Sequence, residues 1–308
     1  QSSASGQPEP TMADLAAEIR PDGQRNWAEV VTRQEIILSR HLDKPEISKA
    51  TSREEAWKAL VRFEEAEKNV ALARLVGATF NSSMHSLVKA DCTDWMAAQP
   101  DAQFDVILTD PPYGIDADSF GDAGGRLVYQ KHDYDDQGSG AWTVLMMLCV
   151  IQWYRLAKPE AHLYVCCDID YFHSLKEMAE HAGWYVFRTP LINFKRDGSR
   201  VPLPQHGPQR KYELIFYAIK GNKPVTRIYP DVIETHGDDN LGHGAQKPVA
   251  LFIDLLRRSV RPGDRILDPF AGTGTAIVAA HELQCKCTAI EMNEQYYGIA
   301  LKRLQELK

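Results

Sequence analysis

Ile266-Leu267-Asp268-Pro269-Phe270-Ala271-Gly272-Thr273-Gly274-Thr275 runs from an apolar strand through a glycine turn into a helix. The glycines let the backbone pass close to a ligand, and the first N–H groups of the helix face whatever lies in the turn. About 15 residues after Thr275 a second apolar strand, Lys286–Ile290, ends in Glu291. An acid at the end of that strand can accept hydrogen bonds from ribose hydroxyls. No Lys-Ser/Thr follows the glycines, which excludes a phosphate-gripping loop. Strand, turn, helix and strand in this order predict an α/β fold with a Rossmann-like sheet.

The same texture extends upstream to about residue 87. Short apolar runs at Leu87–Ala90, Asp105–Thr109, Ala161–Cys166, Trp184–Pro190, Glu213–Lys220 and Arg265–Leu267 read as further strands. Helical patterns at 141–157, 171–182, 246–260, 275–283 and 293–307 lie between or after them. Residues 85–308 thus form one predicted catalytic domain. Ahead of it, Asn26 with Glu29 and Ser52 with Glu55 have capping-box spacing, and Gly77 is a stop signal. They predict a helical N-terminal extension over 26–84. Residues 1–25, rich in Ser, Gln, Pro and Gly, read as a flexible arm. The stretch 114–140, rich in Gly and Asp, reads as a long functional loop.

The net charge of −7 argues against a nucleic-acid partner until it is divided by segment. Residues 91–185 carry 5 basic and 16 acidic side chains, whereas 186–230 carry 9 basic and 2 acidic. Such a basic block can follow a phosphate backbone even on an acidic protein. The six cysteines contain no Cys-x-x-Cys pair and no zinc spacing, so reduced core thiols and no metal are expected. The polar start carries no apolar leader, and no apolar run is long enough for a membrane span. A cytoplasmic location is the expectation.

The strand Phe104–Thr109 delivers Asp110-Pro111-Pro112-Tyr113-Gly114 at its C-terminal end, where sites of α/β sheets form. Further on, His243-Gly244-Ala245-Gln246-Lys247-Pro248 opens a helix. Together with Asp268–Thr275, these motifs resemble those of the DNA amino-methyltransferases. The catalytic tetrapeptide precedes the glycine motif by about 155 residues, a circularly permuted order that resembles the β group of that family, in its phage-type or orphan members. The similarity covers roughly residues 87–308, including Lys89-Ala90-Asp91-Cys92, where the usual Gly-Asp of the family reads Ala-Asp.

The resemblance implies S-adenosylmethionine as cofactor, held by Asp91, Gln246, Lys247, Asp268, Pro269, Phe270, Gly272, Gly274, Thr275 and Glu291. Asp91 would meet the adenine amino group and Lys247 the methionine carboxylate. It implies catalysis by Asp110, Pro111, Pro112 and Tyr113 on a base flipped out of double-stranded DNA, as in restriction–modification systems. The chemistry suits the residues. An exocyclic base amine is a poor nucleophile because its lone pair is delocalised. The Asp110 carboxylate and Pro111 carbonyl can each accept one N–H and aim that lone pair at the methyl group. Tyr113 offers a ring for stacking, worth roughly 1–3 kcal/mol.

The basic block resembles the hairpin beside the family's base pocket, so Lys195, Arg196, Arg200, Arg210 and Lys211 are expected on phosphates, with Phe194 or Tyr212 near the base. Asp rather than Ser before Pro-Pro-Tyr favours adenine N6 over cytosine N4. The competing readings are an N4-cytosine enzyme, an RNA amino-methyltransferase and a non-catalytic DNA-binding subunit of the same fold. Residues 221–242 are too short for a target-recognition domain. Either a short or relaxed sequence is read, or the N-terminal helices or a second subunit do the reading; the near neutrality of those helices favours packing or contact with a homodimer or specificity partner over DNA contact.

Overall fold

A computed structural model describes residues 25–113, 139–196, 208–209, 211–236 and 246–307. The chain divides into two compact units, residues 1–68 and 69–308. The first contains α1 (Arg25–Ser39), α2 (Pro45–Ser48) and most of α3 (Arg53–Val76). Leu38, Ile47, Ala56 and Leu60 form its small core. At the start of α3, Ser52 Oγ accepts the Glu55 N–H at 3.2 Å, while the Glu55 carboxylate reaches back to Thr51 N at 2.8 Å. The predicted capping box is therefore present, with its return bond one residue early. Gly77 ends α3 at φ +89°, a conformation that suits glycine.

The second unit is built on one ten-stranded sheet. Its strands are β1 (Thr79–Asn81), β2 (His85–Lys89), β3 (Phe104–Thr109), β4 (Ala157–Cys167), β5 (Tyr185–Val186), β6 (Leu191–Lys195), β7 (Tyr212–Lys220), β8 (Val232–Thr235), β9 (Arg265–Asp268) and β10 (Lys286–Glu291). They lie in the order β1-β2-β10-β9-β3-β4-β7-β6-β8, with β5 also on β7. From β2 to β4 the neighbours are parallel, and β7 returns antiparallel between β4 and β6. Between and after the strands run α4 (Cys92–Ala97), α5 (Ser139–Leu156), α6 (Ile169–Ala182), α7 (Val249–Arg257), α8 (Thr275–Glu282) and α9 (Glu294–Glu306).

Period-two alternation sorts the strands onto two cores. Val106 and Leu108 of β3, with Tyr164 and Cys166 of β4, join Leu251, Phe252, Leu255, Ile277 and Leu301 from α7, α8 and α9. Ile107, Leu163 and Val165 face the other way, joined by Phe104 from across the register shift between Phe104 and Val106, onto Met96, Met146, Val150, Trp153 and Leu175 from α4, α5 and α6. Covered on both faces, the central strands can be apolar throughout, which is why they read as continuous runs. The one charged residue within β3, Asp105, is paired with Lys158 Nζ at 2.7 Å and with Arg265 N at 2.9 Å.

The sheet turns at β9 and β3. From β9 the chain crosses to β10 on one side, and from β3 it crosses to β4 on the other, so a crevice opens at the C-terminal ends of these adjacent strands. This is a Rossmann-like α/β sheet with its glycine strand late in the chain. The sequence reading missed β1, β6, β8, α2 and α4, and its strand at Trp184–Pro190 is only Tyr185–Val186, because Pro190 ends that run before β6 begins.

Candidate active site

Four acidic residues mark the C-terminal ends of four successive parallel strands. Asp91 follows β2, Glu291 ends β10, Asp268 ends β9 and Asp110 follows β3. Asp91 caps α4, accepting the Thr93 hydroxyl and the N–H groups of Thr93 and Asp94, the last two at 2.7 and 3.3 Å; the hydroxyl first, then the N–H groups, hold its carboxyl below the usual range against burial.

The glycine turn is organised around the next two acids. Asp268 is buried. Its Oδ1 accepts the Thr109 hydroxyl at 2.8 Å and the Phe270 N–H at 3.1 Å. Burial raises its pKa to about 7 against those donors. Glu291 receives the Gly272 N–H at 2.8 Å on Oε2 and the Asn293 N–H at 2.7 Å on Oε1. Burial raises this carboxyl to about 7 as well. Gly274 has φ +82°, and a Cβ there would stand 3.1 Å from Ala300 Cβ, so glycine is required on both counts. Pro269 and Phe270 carry the chain across the turn, and Thr275 opens α8 with its hydroxyl 3.4 Å from the Lys247 carbonyl.

Lys247 connects this turn to the tetrapeptide. Pro248 is the N-cap of α7, and Gln246, half-buried, precedes Lys247. The Lys247 ammonium is 5% exposed, lies 2.9 Å from Asp110 Oδ2 and 4.0 Å from Glu213 Oε2, and stands over the Tyr113 ring at 5.0 Å. Burial would lower its pKa; the facing Asp110 and Glu213 carboxylates reverse that and hold it charged. The Tyr113 hydroxyl donates to Asp110 Oδ1 at 3.0 Å. Sequence reading placed Lys247 at a cofactor carboxylate and Tyr113 under a base; in the structure both side chains converge on Asp110.

Within the basic segment, the described residues contribute two strands, and 197–207 and 210 lie outside the described residues. β6 and β7 pair antiparallel, with Phe194 opposite Tyr212 and Asn193 opposite Glu213. Phe194 and Tyr212 are both exposed. Lys195 is paired with Glu213, Arg196 with Glu234 at 2.9 Å, and Lys211 Nζ donates to the Arg196 carbonyl at 3.0 Å. Arg200 and Arg210 lie outside the described residues, as do His243, Gly244 and Ala245. Sequence reasoning missed Glu213 as a site residue. The available signal was its position as one of only two acids within the basic block 186–230. All six cysteines are buried and free, and among the described residues no cluster of metal-ligating side chains occurs.

A family model described as DNA methylase, of the N6/N4 methyltransferase type, matches residues 104–302. The chain belongs to this DNA methylase family. Among curated relatives, the type II methyltransferase M2.DpnII of Streptococcus pneumoniae is 25% identical over 250 residues, covering 73% of this chain and 91% of the relative. The putative methylase YubD of Escherichia coli K12 is 28% identical over 222 residues, covering 72% and 90%. Of solved structures, the M1.HpyAVI–SAM complex superposes with a TM-score of 0.54 at 20% identity, over 72% of this chain and all of that one. The cytosine-N4-specific PvuII DNA methyltransferase does so with a TM-score of 0.55 at 14% identity, over 74% and 92%. These superpositions establish the fold. Membership makes the chain an N6/N4 DNA methyltransferase, a class that draws its methyl group from S-adenosylmethionine. Among the described residues, no helix of this DNA methylase is long and apolar enough to cross a membrane.

Proposed function

We propose that this DNA methylase transfers the methyl group of S-adenosylmethionine to the N6 amine of an adenine turned out of duplex DNA. One observation carries the reading: the Thr109–Asp268 hydrogen bond ties the catalytic strand to the glycine strand, so Asp110 stands beside the turn that would hold the methyl donor. The residues fit that cofactor. Glu291 presents a carboxylate already oriented by two backbone N–H groups, and Gly272 and Gly274, both at positive φ, keep side chains out of the turn. Glu291 would take the ribose hydroxyls, Asp91 the adenine amino group and Gln246 the methionine end, while the Lys247 ammonium stays on the protein's own carboxylates, beginning with Asp110. When bound, the cofactor supplies an electrophilic sulfonium methyl.

The chain's own groups then act on the base. The Asp110 carboxylate and the Pro111 carbonyl each accept one amine N–H, which localises the nitrogen lone pair as the bond to carbon forms. Pro111 and Pro112 restrict the backbone that aims the carbonyl. The Tyr113 ring takes the flipped base by stacking. Lys195, Arg196, Arg200, Arg210 and Lys211 hold phosphates flanking it, and the N-terminal helices within 26–84 serve as the contact for a second copy or a specificity partner. Asp ahead of Pro-Pro-Tyr, read through the family resemblance, supports adenine over cytosine.

Nucleoside mass spectrometry of duplex DNA treated with the purified chain and S-adenosylmethionine tests this. N6-methyladenine is expected. N4-methylcytosine alone would overturn the choice of base, and unmodified DNA would overturn catalysis itself.

A further inference from the structure

The two oxygens of Asp110 are engaged by groups of the protein itself: Tyr113 on Oδ1 and Lys247 on Oδ2. With Asp110 as acceptor of the target amine, the proposed role on which this inference rests, those bonds occupy the place of the substrate. As the methyl group arrives, the amine nitrogen gains positive charge, and an ammonium 2.9 Å from the accepting carboxylate opposes that gain. Lys247 therefore has to yield when the amine docks. It is almost fully buried, so withdrawal without a new partner would leave a desolvated charge unpaired.

One carboxylate oxygen stands ready to receive it. Glu213 Oε2 is buried, makes no well-aligned hydrogen bond among the described residues, has the Asn193 amide as its polar neighbour, and lies 4.0 Å from the Lys247 ammonium. Closing by about 1 Å would turn that contact into a charge-assisted hydrogen bond. Glu213 stays in reach because its strand position is fixed opposite Asn193 in the β6–β7 pair, and its other oxygen is on Lys195 until DNA draws that lysine to a phosphate. Asp110, Lys247, Glu213 and Lys195 thus form an alternating line of charge from the catalytic tetrapeptide to the basic hairpin.

We propose that Glu213 is the second seat of Lys247, a positioning residue that takes the ammonium from Asp110 when the target amine binds. Glu213 touches neither base nor cofactor in this scheme. It acts by keeping Lys247 paired in both of its positions, so that Asp110 can exchange a cation for an N–H donor.

The test uses the full chain, duplex DNA and S-adenosylmethionine, with single-turnover rates at saturating substrates. DNA affinity by fluorescence anisotropy and the melting temperature are measured on the same samples. Glu213→Gln should lower the rate 10- to 100-fold while DNA affinity stays within about threefold. Glu213→Asp, which restores the charge on a shorter arm, should recover part of the loss. In a Lys247→Met background there is no ammonium to seat, so adding Glu213→Gln should change the rate no further. That pair also removes one ion of each sign, which keeps the comparison open if the single Gln variant does not fold. A wild-type rate in Glu213→Gln overturns the proposal. So does a loss that appears wholly as weaker DNA binding, which would mean that Glu213 serves only to hold Lys195. An equal fold loss in both backgrounds overturns it too. If wild-type protein itself leaves no methyl on DNA, the reading of Asp110 has failed before any variant is compared.

Discussion

Thr109 donates its hydroxyl to Asp268 at 2.8 Å, joining the last residue of the catalytic strand to the last residue of the glycine strand, both of them buried. Thr109→Val keeps the shape and removes the donor. It leaves Asp268 with the Phe270 N–H alone, and a lost hydrogen bond to a buried acid costs about 1–3 kcal/mol. Thermal unfolding of the variant should show that loss. Cofactor titration should show weakened binding, since both strand ends border the turn. Unchanged melting and unchanged affinity would mean that this bond does not shape the site.

Asp110→Ala separates chemistry from binding. The catalytic carboxylate lies outside the Gly272–Glu291 contact, so methyl transfer should fall by a factor of about 10³ or more while cofactor affinity changes only a few-fold. Equilibrium dialysis beside a methyl-incorporation assay checks both. The same deletion strands the buried Lys247 ammonium near Glu213 alone, so a loss of stability is also expected. Asp110→Asn with Lys247→Met should restore stability without restoring turnover.

Cofactor affinity should depend on pH through Glu291. Burial raises this carboxyl to about 7, so protein without cofactor carries it partly protonated at neutral pH. For stability the sign is that of a raised acid: its favourable contribution is complete below the ordinary carboxylate range and is lost as pH rises through about 7. Ribose hydroxyls donate to the ionised form and so oppose that loss. Binding should therefore weaken as pH falls below about 7, by at most about tenfold per unit, and Glu291→Gln should flatten most of the slope. Calorimetric titration from pH 5.5 to 8.5 decides it; a flat wild-type profile would refute the ribose role.

Phosphate contact by the hairpin predicts steep salt dependence. Lys195 and Arg196 are each already paired with a glutamate, and Lys211 is held by a backbone carbonyl, so all three must exchange partners to reach DNA. DNA affinity should fall linearly on a log–log plot against salt, and Lys211→Ala should reduce the slope by about 1. An unchanged slope would move the phosphate path elsewhere.

Gly298 lies in α9 where a Cβ would come 2.2 Å from the Asn69 carbonyl oxygen and 2.6 Å from its carbon. Both near atoms are backbone and cannot rotate aside. Gly298→Ala should destabilise the protein by about 1–3 kcal/mol. Gly140→Ala, with nothing within 4 Å, should cost nothing. Paired melting curves distinguish the two, and equal melting temperatures would contradict this close packing of α9 on Asn69.

Much of the fold was legible in the chain because buried strands and glycine turns have strong local signatures. Val106–Leu108 and Ile266–Leu267 put apolar side chains on both faces of their strands, and Asp110-Pro111-Pro112-Tyr113 and Asp268–Thr275 are contiguous in sequence. What escaped was non-local. β8, only four residues long, takes its place from pairing with β6, and α4 from the Asp91 cap rather than from any apolar period. The convergence of Lys247, Asp110 and Glu213 joins residues more than 30 positions apart along the chain, and spacing alone could not bring them together.

The sheet order has a consequence for how the molecule is made. Among the described residues, β9 and β10 come after every other strand of the sheet in the chain, yet they lie in the middle, between β2 and β3. About 155 residues separate the catalytic motif from the glycine motif. At ribosomal rates of 5–20 residues per second, one edge of β3 therefore waits roughly 8–30 s for its partner. The β1–β2 ribbon and the β3–β4–β7 half stay unjoined over that interval. A nascent chain, or one cut short before β9, keeps both edges open and lacks the centre of its sheet, so chaperone dependence and truncation ahead of β9 should bear on this enzyme more heavily than on a fold whose late strands are outer ones.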